Sequence, residues 1–567
     1  MTGQQPESRD DRFARLGEKQ LDLLIVGGGI TGAGAARDAA LRGLRVALVD
    51  KGDWAQGTSS RSSKLVHGGL RYLETFQLGL VRESTAERAV QMRLAPHLVR
   101  PLEFMMPIYE GQKHGLHFIN LGLWLYDSLA LFRVPKRHRL LKGRRALSRQ
   151  PNLRPDGLKG ALTYFDAATD DARLTLENVL DAAALGAITV SHARATRLSK
   201  DDSGRVTGAE ITDTLDPGGR KVSVSAHLTL NTTGPWADEL LRMAGPTERP
   251  LVRPTKGAHI VLRAERLPLQ LAVALIHPKD GRPVFAIPWG AQVYVGTTDF
   301  DYKGDFDRPH CAAEDRAVLL EALDHYFPAA GITPSDIVGT WCGLRPLIAP
   351  AQDMSASAVP REHVLLGDSS VGLLTMTGGK LTTYRLMAKE LVDRSVKLLK
   401  KAGSITAPIA SCRTGSRPLP GAMGWPQYRP DFQGVAARLE KEGLAMPLAR
   451  HLAATYGVRA PAVLACAQEE EDREPICPAL PVIWAEVEHA VLYEQAARLE
   501  DVLGRRTQLL LKAPEEALEV APEVAARMGA LLGWDDARQR EEVEDVTDLV
   551  RQSLGCRGKE PTETQGL

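Results

Sequence analysis

Three glycines with the spacing Gly27-x-Gly29-x-x-Gly32 stand directly after the apolar run Leu21–Val26 and open a helix pattern over Ile30–Arg42. The first glycine allows a tight turn, the second lets backbone approach a pyrophosphate, and the third lets the helix pack on the strand. Ile30 and Thr31, in the first helical turn, offer backbone N–H groups and the positive end of the helix dipole to phosphate. Asp50 ends the next apolar run, Arg45–Asp50, eighteen residues after Gly32. There it can accept hydrogen bonds from an adenosine ribose, with Lys51 beside it. A ligand-free glycine turn is the plainer alternative, and the agreement of strand, glycines, helix and acid argues against it. The chain then runs through Gly57-Thr58-Ser59-Ser60-Arg61-Ser62-Ser63-Lys64 and His67-Gly68-Gly69. This hydroxyl-rich stretch offers more donors to a long diphosphate cofactor than an NAD site usually shows, although an ordinary polar loop has a similar composition. No second glycine fingerprint follows a strand. One nucleotide site and one substrate site suit a permanently held flavin whose electrons leave to something other than NAD.

The elements that must position these groups alternate. Beyond the first strand–turn–helix–strand unit, the patterning predicts strands at Ala187–Ser191, Leu228–Asn231, His259–Leu262, Gln292–Gly296 and His363–Leu366. It predicts helices near Ser84–Leu94, Arg173–Leu185, Trp236–Met243, Ala313–Tyr326 and Lys380–Lys400. The alternation indicates an α/β architecture, with antiparallel strands expected between about 245 and 350. Ser411–Trp425 is rich in Pro, Gly and Ser and reads as a linker. Residues 430–555 then look almost wholly helical, for example over Leu448–Tyr456, Val482–Leu503 and Pro522–Leu532.

The chain has 567 residues, enough for about three structural regions. Its 71 basic and 70 acidic residues give a net charge of +1, which supplies no reason to invoke nucleic acid. The balance is uneven along the chain: residues 401–567 hold 19 Lys/Arg against 26 Asp/Glu, and residues 1–400 hold 52 against 44. An anionic ligand therefore fits the longer N-terminal part better, unless these are only solvated charges. Six scattered cysteines show neither a disulfide framework nor a C-x-x-C or zinc spacing, so no metal is expected and a reducing compartment is. The polar first twenty residues do not read as a secretory signal, and no apolar run is long enough to span a bilayer.

GTSSRSSKLVHGGLRYLE (57–74), NTTGPWADEL (231–240), VGTTDFDYKGD (295–305), CGLRPL (342–347) and TGGKLTTYR (377–385) closely resemble the FAD-dependent, quinone-linked glycerol-3-phosphate dehydrogenases, within the D-amino-acid-oxidase-like flavoproteins. The resemblance runs from about residue 20 to about 550 and is looser after 410. Thr232 departs from the family's usual Ala. The family implies a Rossmann-type FAD-binding domain with an inserted, mostly antiparallel substrate domain and a C-terminal all-helical cap. Transferred here, the FAD-binding domain covers about 18–95, 165–245 and 350–410. The substrate domain covers about 96–164 and 246–349, the linker 411–425 and the cap 426–555. The family also implies a reaction. Sn-glycerol 3-phosphate is oxidised to dihydroxyacetone phosphate, a hydride passes from C2 to N5 of FAD, and electrons continue to a membrane quinone.

Against that chemistry the charged motif residues gain meaning. A phosphate dianion needs cationic donors, and Arg supplies a bidentate fork. Arg71, Arg345, Lys380 and Arg385 all lie in glycine-containing motifs. The resemblance places Arg71, Tyr72, Arg345 and Lys380 at the face between substrate and flavin, and leaves open which of them grips the phosphate. Alcohol oxidation needs a base, and His259 in Lys256-Gly257-Ala258-His259 matches the family's active-site position. His67 is expected to line the flavin with Gly68 and Gly69. Thr297 and Thr298 are candidates for hydrogen bonds to substrate, though β-propensity alone also explains them. Gly378, Gly379 and Lys380, with Leu381 and Thr382, precede a helix and suit the N1/O2 edge of a reduced flavin. Gly234 and Asp368 complete the expected cofactor contacts.

A quinone acceptor implies peripheral contact with the inner face of the cytoplasmic membrane by a cytoplasmic protein. Leu116–Phe132 is the most apolar stretch and is expected to be a buried substrate-domain helix, with a dip into one leaflet as the alternative. Arg133–Arg149 carries eight Lys/Arg and no acid, and can meet anionic headgroups or remain a solvated face. An oxidase using O2, an amino-acid oxidase and a non-catalytic FAD-binding scaffold are the competing readings. The sequence does not choose whether the acidic C-terminal region serves a homodimer or a cap.

Overall fold

The computed structural model describes residues 7–558 except 75, 132, 134, 217, 247–248, 350–361, 369 and 427–428. The chain enters through a short helix, α1 (Arg9–Arg15), inside the polar segment for which the sequence suggested no role. Phe13 and Leu16 anchor it in the core, and Arg9 pairs with Asp213 at 2.7 Å. The predicted nucleotide unit follows as β1 (Leu21–Val26), α2 (Ile30–Leu41) and β2 (Val46–Val49). Every residue of β1 is buried, as expected of a parallel strand covered on both faces. Leu23 and Ile25 meet α2 and the long helix Tyr384–Lys401, whereas Leu24 and Val26 meet α1 and the opposite layer.

β1 lies between β2 and the long strand β3 (Lys221–Asn231), parallel to both, with Val26 level with Val49 and with Asn231. The sheet continues through Leu373–Gly378 and antiparallel His363–Leu366 on one side, and through Ile188–Val190 on the other. The carboxyl ends of β1 and β3, adjacent and parallel, leave a crevice beside the first turn of α2. Crevices outside the carboxyl ends of parallel strands are where dinucleotides bind in such folds.

A second sheet has ten strands, drawn from Leu65–Val66, residues 99–169 and residues 252–348. At one edge lies the antiparallel pair β4 (Val252–Arg263) and β5 (Ile337–Ile348), with His259 opposite Trp341 and Thr255 opposite Arg345. Only the Ala272–Ile276 and Val99–Tyr109 pairing is parallel. α3 (Leu116–Leu129) lies against this sheet and corrects the expectation of a buried helix. Leu123, Tyr126 and Asp127 are buried, but Phe118, Leu121, Trp124 and Leu125 are 61%, 68%, 45% and 41% exposed. Asp127, which interrupts the apolar run, faces inward and binds His138 Nδ1 at 2.8 Å.

The C-terminal region is helical with one correction. The expected helix Val482–Leu503 is instead a strand, Leu480–Ile483, paired with Pro475–Cys477, then a helix, Ala485–Glu494. The chain breaks at left-handed Gln495 and re-forms as a π-helical turn, Asp501–Arg506. The break has a local cause: the Asp501 carboxylate accepts the N–H groups of Ala497 and Arg498, both at 2.9 Å, in competition with helical hydrogen bonds. Among the described residues, no helix is long and apolar enough to cross a membrane and no cluster could hold a metal ion.

Candidate active site

One cavity of about 2250 Å3 runs from the first turn of α2 across the second sheet to the exposed face of α3. At its nucleotide end the glycines behave as their spacing requires. Gly27 has φ +112°, and a Cβ on Gly32 would sit 1.9 Å from the Gly27 carbonyl oxygen. Gly29 is the N-cap of α2 and has no side chain to satisfy the first helical N–H groups; the Ile30 N–H is met by Ser59 Oγ at 2.9 Å. Asp50 accepts the N–H groups of Gly28 and Gly52 at 2.6 and 2.9 Å, which fixes its carboxylate at the cavity wall. Burial pushes the Asp50 carboxyl pKa up, and these backbone donors work against that shift. Lys51 lies over the Trp236 ring at 4.3 Å and pairs with Asp307 at 2.6 Å.

Gly27, Gly29, Ile30, Thr31, Asp50, Lys51, Thr58, Ser59, Ser63, His67, Gly69, Gly234, Gly378, Gly379, Lys380, Leu381 and Thr382 all line this cavity. Thr382 Oγ1 ties its own loop to the 67–69 loop by bonds to the His67 N–H and carbonyl, each 3.1 Å. The structure does not bring five expected cofactor contacts to the wall. Gly32 lies behind the turn that it packs. Lys64 is buried and spent on Asp171 at 2.7 Å and on the Ser60 carbonyl at 2.9 Å, and Ser60 faces a smaller neighbouring cavity. The Gly68 N–H is taken by the Tyr126 hydroxyl and Asp166 at 3.0 and 3.1 Å. Asp368 sits on an exposed turn, where it accepts the N–H and hydroxyl of Ser370 at 2.8 and 2.6 Å.

His259, Thr297, Thr298, Arg345, Lys380 and Tyr72 line the same cavity. Arg71 belongs to the turn Leu70–Leu73, and its side chain lies outside the described residues. Arg385 is turned away into an ion pair with Glu87. His259 is buried and stacked on Trp341, with centroids 4.6 Å apart and planes at 10°. Its Nε2 is 2.9 Å from Ser63 Oγ, and its Nδ1 has no hydrogen-bond partner among the described residues. The ring fits because Gly296 lies opposite on the paired strand: a Cβ there would be 2.1 Å from His259 Cδ2. Desolvation, then the positive charges of Arg345 and Lys64, hold the His259 pKa well below the usual histidine range. The imidazole is therefore neutral at neutral pH.

Among the contacts that aim Arg345 are Asp299 Oδ1 at 2.9 Å and Thr297 Oγ1 and the Thr298 carbonyl at 3.1 Å each. Lys380 Nζ lies 3.7 Å from the centroid of the Tyr72 ring. Thr298 has a more structural part than its motif suggested. Its hydroxyl donates to Asp315 at 2.7 Å and accepts the Ala258 N–H at 2.9 Å, buried within the strand layer. Sequence reasoning missed Trp341 and Asp299, and read Ser63 as a cofactor contact alone. Trp341 precedes the CGLRPL motif by one residue, but only the β4–β5 register sets it beside His259.

The cavity offers a glycine-turn cradle at one end and the cationic side chains of Arg345 and Lys380 elsewhere along its lining. The family model "FAD dependent oxidoreductase" matches residues 22–385, and "C-terminal domain of alpha-glycerophosphate oxidase" matches residues 412–539. The chain is 36% identical over 549 residues to an aerobic glycerol-3-phosphate dehydrogenase of Staphylococcus haemolyticus, covering 96% of each chain. It is 35% identical over 540 residues to one of Staphylococcus aureus, covering 95% of this chain and 96% of that one. The crystal structure of the glycerol-3-phosphate dehydrogenase from Bacillus halodurans, complexed with FAD, superposes with TM-score 0.79 at 30% identity, covering 97% of this chain and 99% of that one. The chain therefore belongs to the FAD-dependent oxidoreductases, in the family of the glycerol-3-phosphate dehydrogenases.

Proposed function

We propose that the protein oxidises sn-glycerol 3-phosphate to dihydroxyacetone phosphate with bound FAD and passes the electrons to a membrane quinone. The observation that carries this reading is the continuity of the cavity, which puts a dinucleotide cradle and a cationic wall around a neutral histidine in one space. The cradle residues Gly27, Gly29, Ile30, Asp50 and Ser59 would hold the adenosine and diphosphate part, and the Gly378–Thr382 loop the flavin end. FAD, when bound, would supply a two-electron acceptor for the hydride that leaves C2. The side chains do the rest. Arg345 and Lys380 bind the phosphate dianion and favour negative charge on the substrate oxygen. Ser63 and the Trp341 ring hold the His259 imidazole in one orientation, and the base accepts the C2 hydroxyl proton. Its depressed pKa keeps it unprotonated at neutral pH and makes it a weaker base than an ordinary histidine.

The quinone half of the reading is supported by the far end of the cavity. There Phe76, Phe118, Leu121 and Trp124 form an exposed apolar rim, Phe76 at 83% exposure. The basic stretch Arg133–Arg149 follows α3 in the chain. Such a face suits shallow insertion into a leaflet beside anionic headgroups, at the inner face of the cytoplasmic membrane. An oxidase using O2 is the second reading, favoured by the glycerophosphate oxidase name of the C-terminal family model. Anaerobic addition of glycerol 3-phosphate should bleach the flavin spectrum, and a soluble quinone analogue should restore it faster than O2 does. Faster recovery in O2 selects the oxidase, and a flavin that the substrate fails to bleach rejects both.

A further inference from the structure

Beneath the glycine turn lies a buried charged cluster that the chemistry above does not use. Asp53, three residues past Asp50, is fully buried. Its carboxylate accepts Arg505 Nε at 2.5 Å and both Arg506 terminal nitrogens at 2.7 and 2.8 Å. Both arginines belong to the π-helical turn of the C-terminal region. The next residue, Trp54, packs on the glycine turn itself: a Cβ on Gly28 would lie 2.4 Å from Trp54 Cε3. The Ala55 N–H donates to the Gly28 carbonyl at 3.1 Å. Trp54 is in turn held from behind, its indole N–H donating to Gln495 Oε1 at 3.3 Å. His192 donates its backbone N–H to the Gly52 carbonyl at 2.8 Å, and its ring meets Asp501 at 2.9 Å. Asp501 accepts Arg505 Nη2 at 2.6 Å, closing the network.

Residues 50–55 are thus gripped from two sides. On the cavity side Asp50 and Ala55 hold Gly28. On the other side Asp53, Trp54 and Gly52 are held by residues of the C-terminal region or by His192, which that region fixes. Docking of two domains needs only apolar packing, and buried ion pairs are costly to desolvate. What they add is a fixed geometry at the loop that shapes the nucleotide end.

We propose that Arg505 and Arg506 are positioning residues for the adenosine end of the FAD site, so that the C-terminal region sets the cofactor affinity of the N-terminal one. The inference rests on FAD being the bound dinucleotide. Its test is calorimetric titration of full-length apoenzyme with FAD and with ADP, for the wild type, Arg506→Met, Arg506→Lys and Asp53→Asn. Arg506→Met should weaken FAD and ADP by the same factor, about tenfold or more, which corresponds to one charge-assisted hydrogen bond. Arg506→Lys should recover part of the loss. With FAD saturating, the KM for glycerol 3-phosphate should stay at the wild-type value, because the cluster touches only the nucleotide end. Asp53→Asn, nearly isosteric, should show the same pattern and serves if Arg506→Met does not fold. ADP affinity within twofold of wild type in the folded variants overturns the proposal. So does a joint loss of ADP affinity and substrate KM that lysine does not relieve. A wild-type apoenzyme that binds no FAD overturns the cofactor assignment instead.

Discussion

Gly32→Ala tests the nucleotide end directly. A Cβ at position 32 would lie 1.9 Å from the Gly27 carbonyl oxygen and 2.6 Å from Thr232 Oγ1. Real Cβ contacts shorter than 3.0 Å are essentially never seen, so the start of α2 has to withdraw from the strand turn by about 1 Å or more. Overfilling a packed site costs about 1–3 kcal/mol. Alanine gains up to about 1 kcal/mol over glycine in a helix, and less in its first turn, so the net effect is a loss of about 0–3 kcal/mol. The cost to the cofactor is larger, because the same movement carries the first-turn N–H groups away from the diphosphate. FAD affinity of the apoenzyme, read by quenching of flavin fluorescence, should fall at least tenfold. Gly122→Ala in α3 is the control. Nothing lies within 4 Å of a Cβ there, so the variant should melt at or above the wild-type temperature with unchanged FAD affinity. Wild-type FAD affinity in Gly32→Ala, with no drop in Tm, would refute the packing argument.

His259→Gln should lower kcat by about 10²–10⁴-fold while FAD stays bound, measured by steady-state kinetics and by the flavin spectrum. Unchanged kcat would remove His259 from the proton transfer. The C-terminal region should be acid-sensitive in two windows. Burial pushes the His489 pKa down to about 4, so the unfolded chain takes up this proton first. Stability then falls by about 3 kcal/mol as pH drops from the ordinary histidine value of about 6.5 towards 4. Against the desolvation that would raise it, Arg173 and His489 hold the Glu494 pKa down to about 2, so its contribution is present above the ordinary carboxyl value and is lost as pH falls towards 2. Urea titrations between pH 7 and 4 test the first window, and a stability that rises on acidification contradicts it. Replacing Leu121 and Trp124 by Ser should weaken binding to anionic vesicles more than tenfold, since each large apolar side chain contributes about 1.5–3 kcal/mol when buried. Leu121, 68% exposed, should be replaced with little change in Tm, whereas Trp124, whose ring lies edge-on to His138 at 4.8 Å, should cost some stability. Vesicle co-sedimentation at wild-type level would place the membrane contact elsewhere.

The amino-acid sequence by itself determined the local devices. A strand that is apolar throughout, a glycine turn, a helix start and an acid at the next strand end are short-range patterns. Each imposes its own backbone geometry, so Leu21–Val26 and Ala313–Tyr326 were legible to the residue. The motifs around His259, Thr297, Arg345 and Lys380 were legible as chemistry, and in the structure they line one cavity. What lay beyond the sequence is what depends on partners distant along the chain. Lys64 reads as a cofactor contact until Asp171, far along the chain, is found beside it. Trp341 becomes part of the site only through the β4–β5 register. The exposed face of α3 could not be told from a buried one, because an apolar helix looks the same until its packing neighbours are known. The use of Arg505 and Arg506 likewise follows from Asp53, 452 and 453 residues away, to which they bind the C-terminal region at the loop after β2. Local sequence sets backbone geometry and the chemistry on offer. Long-range contacts decide which charges are spent in the interior and which remain to meet a ligand.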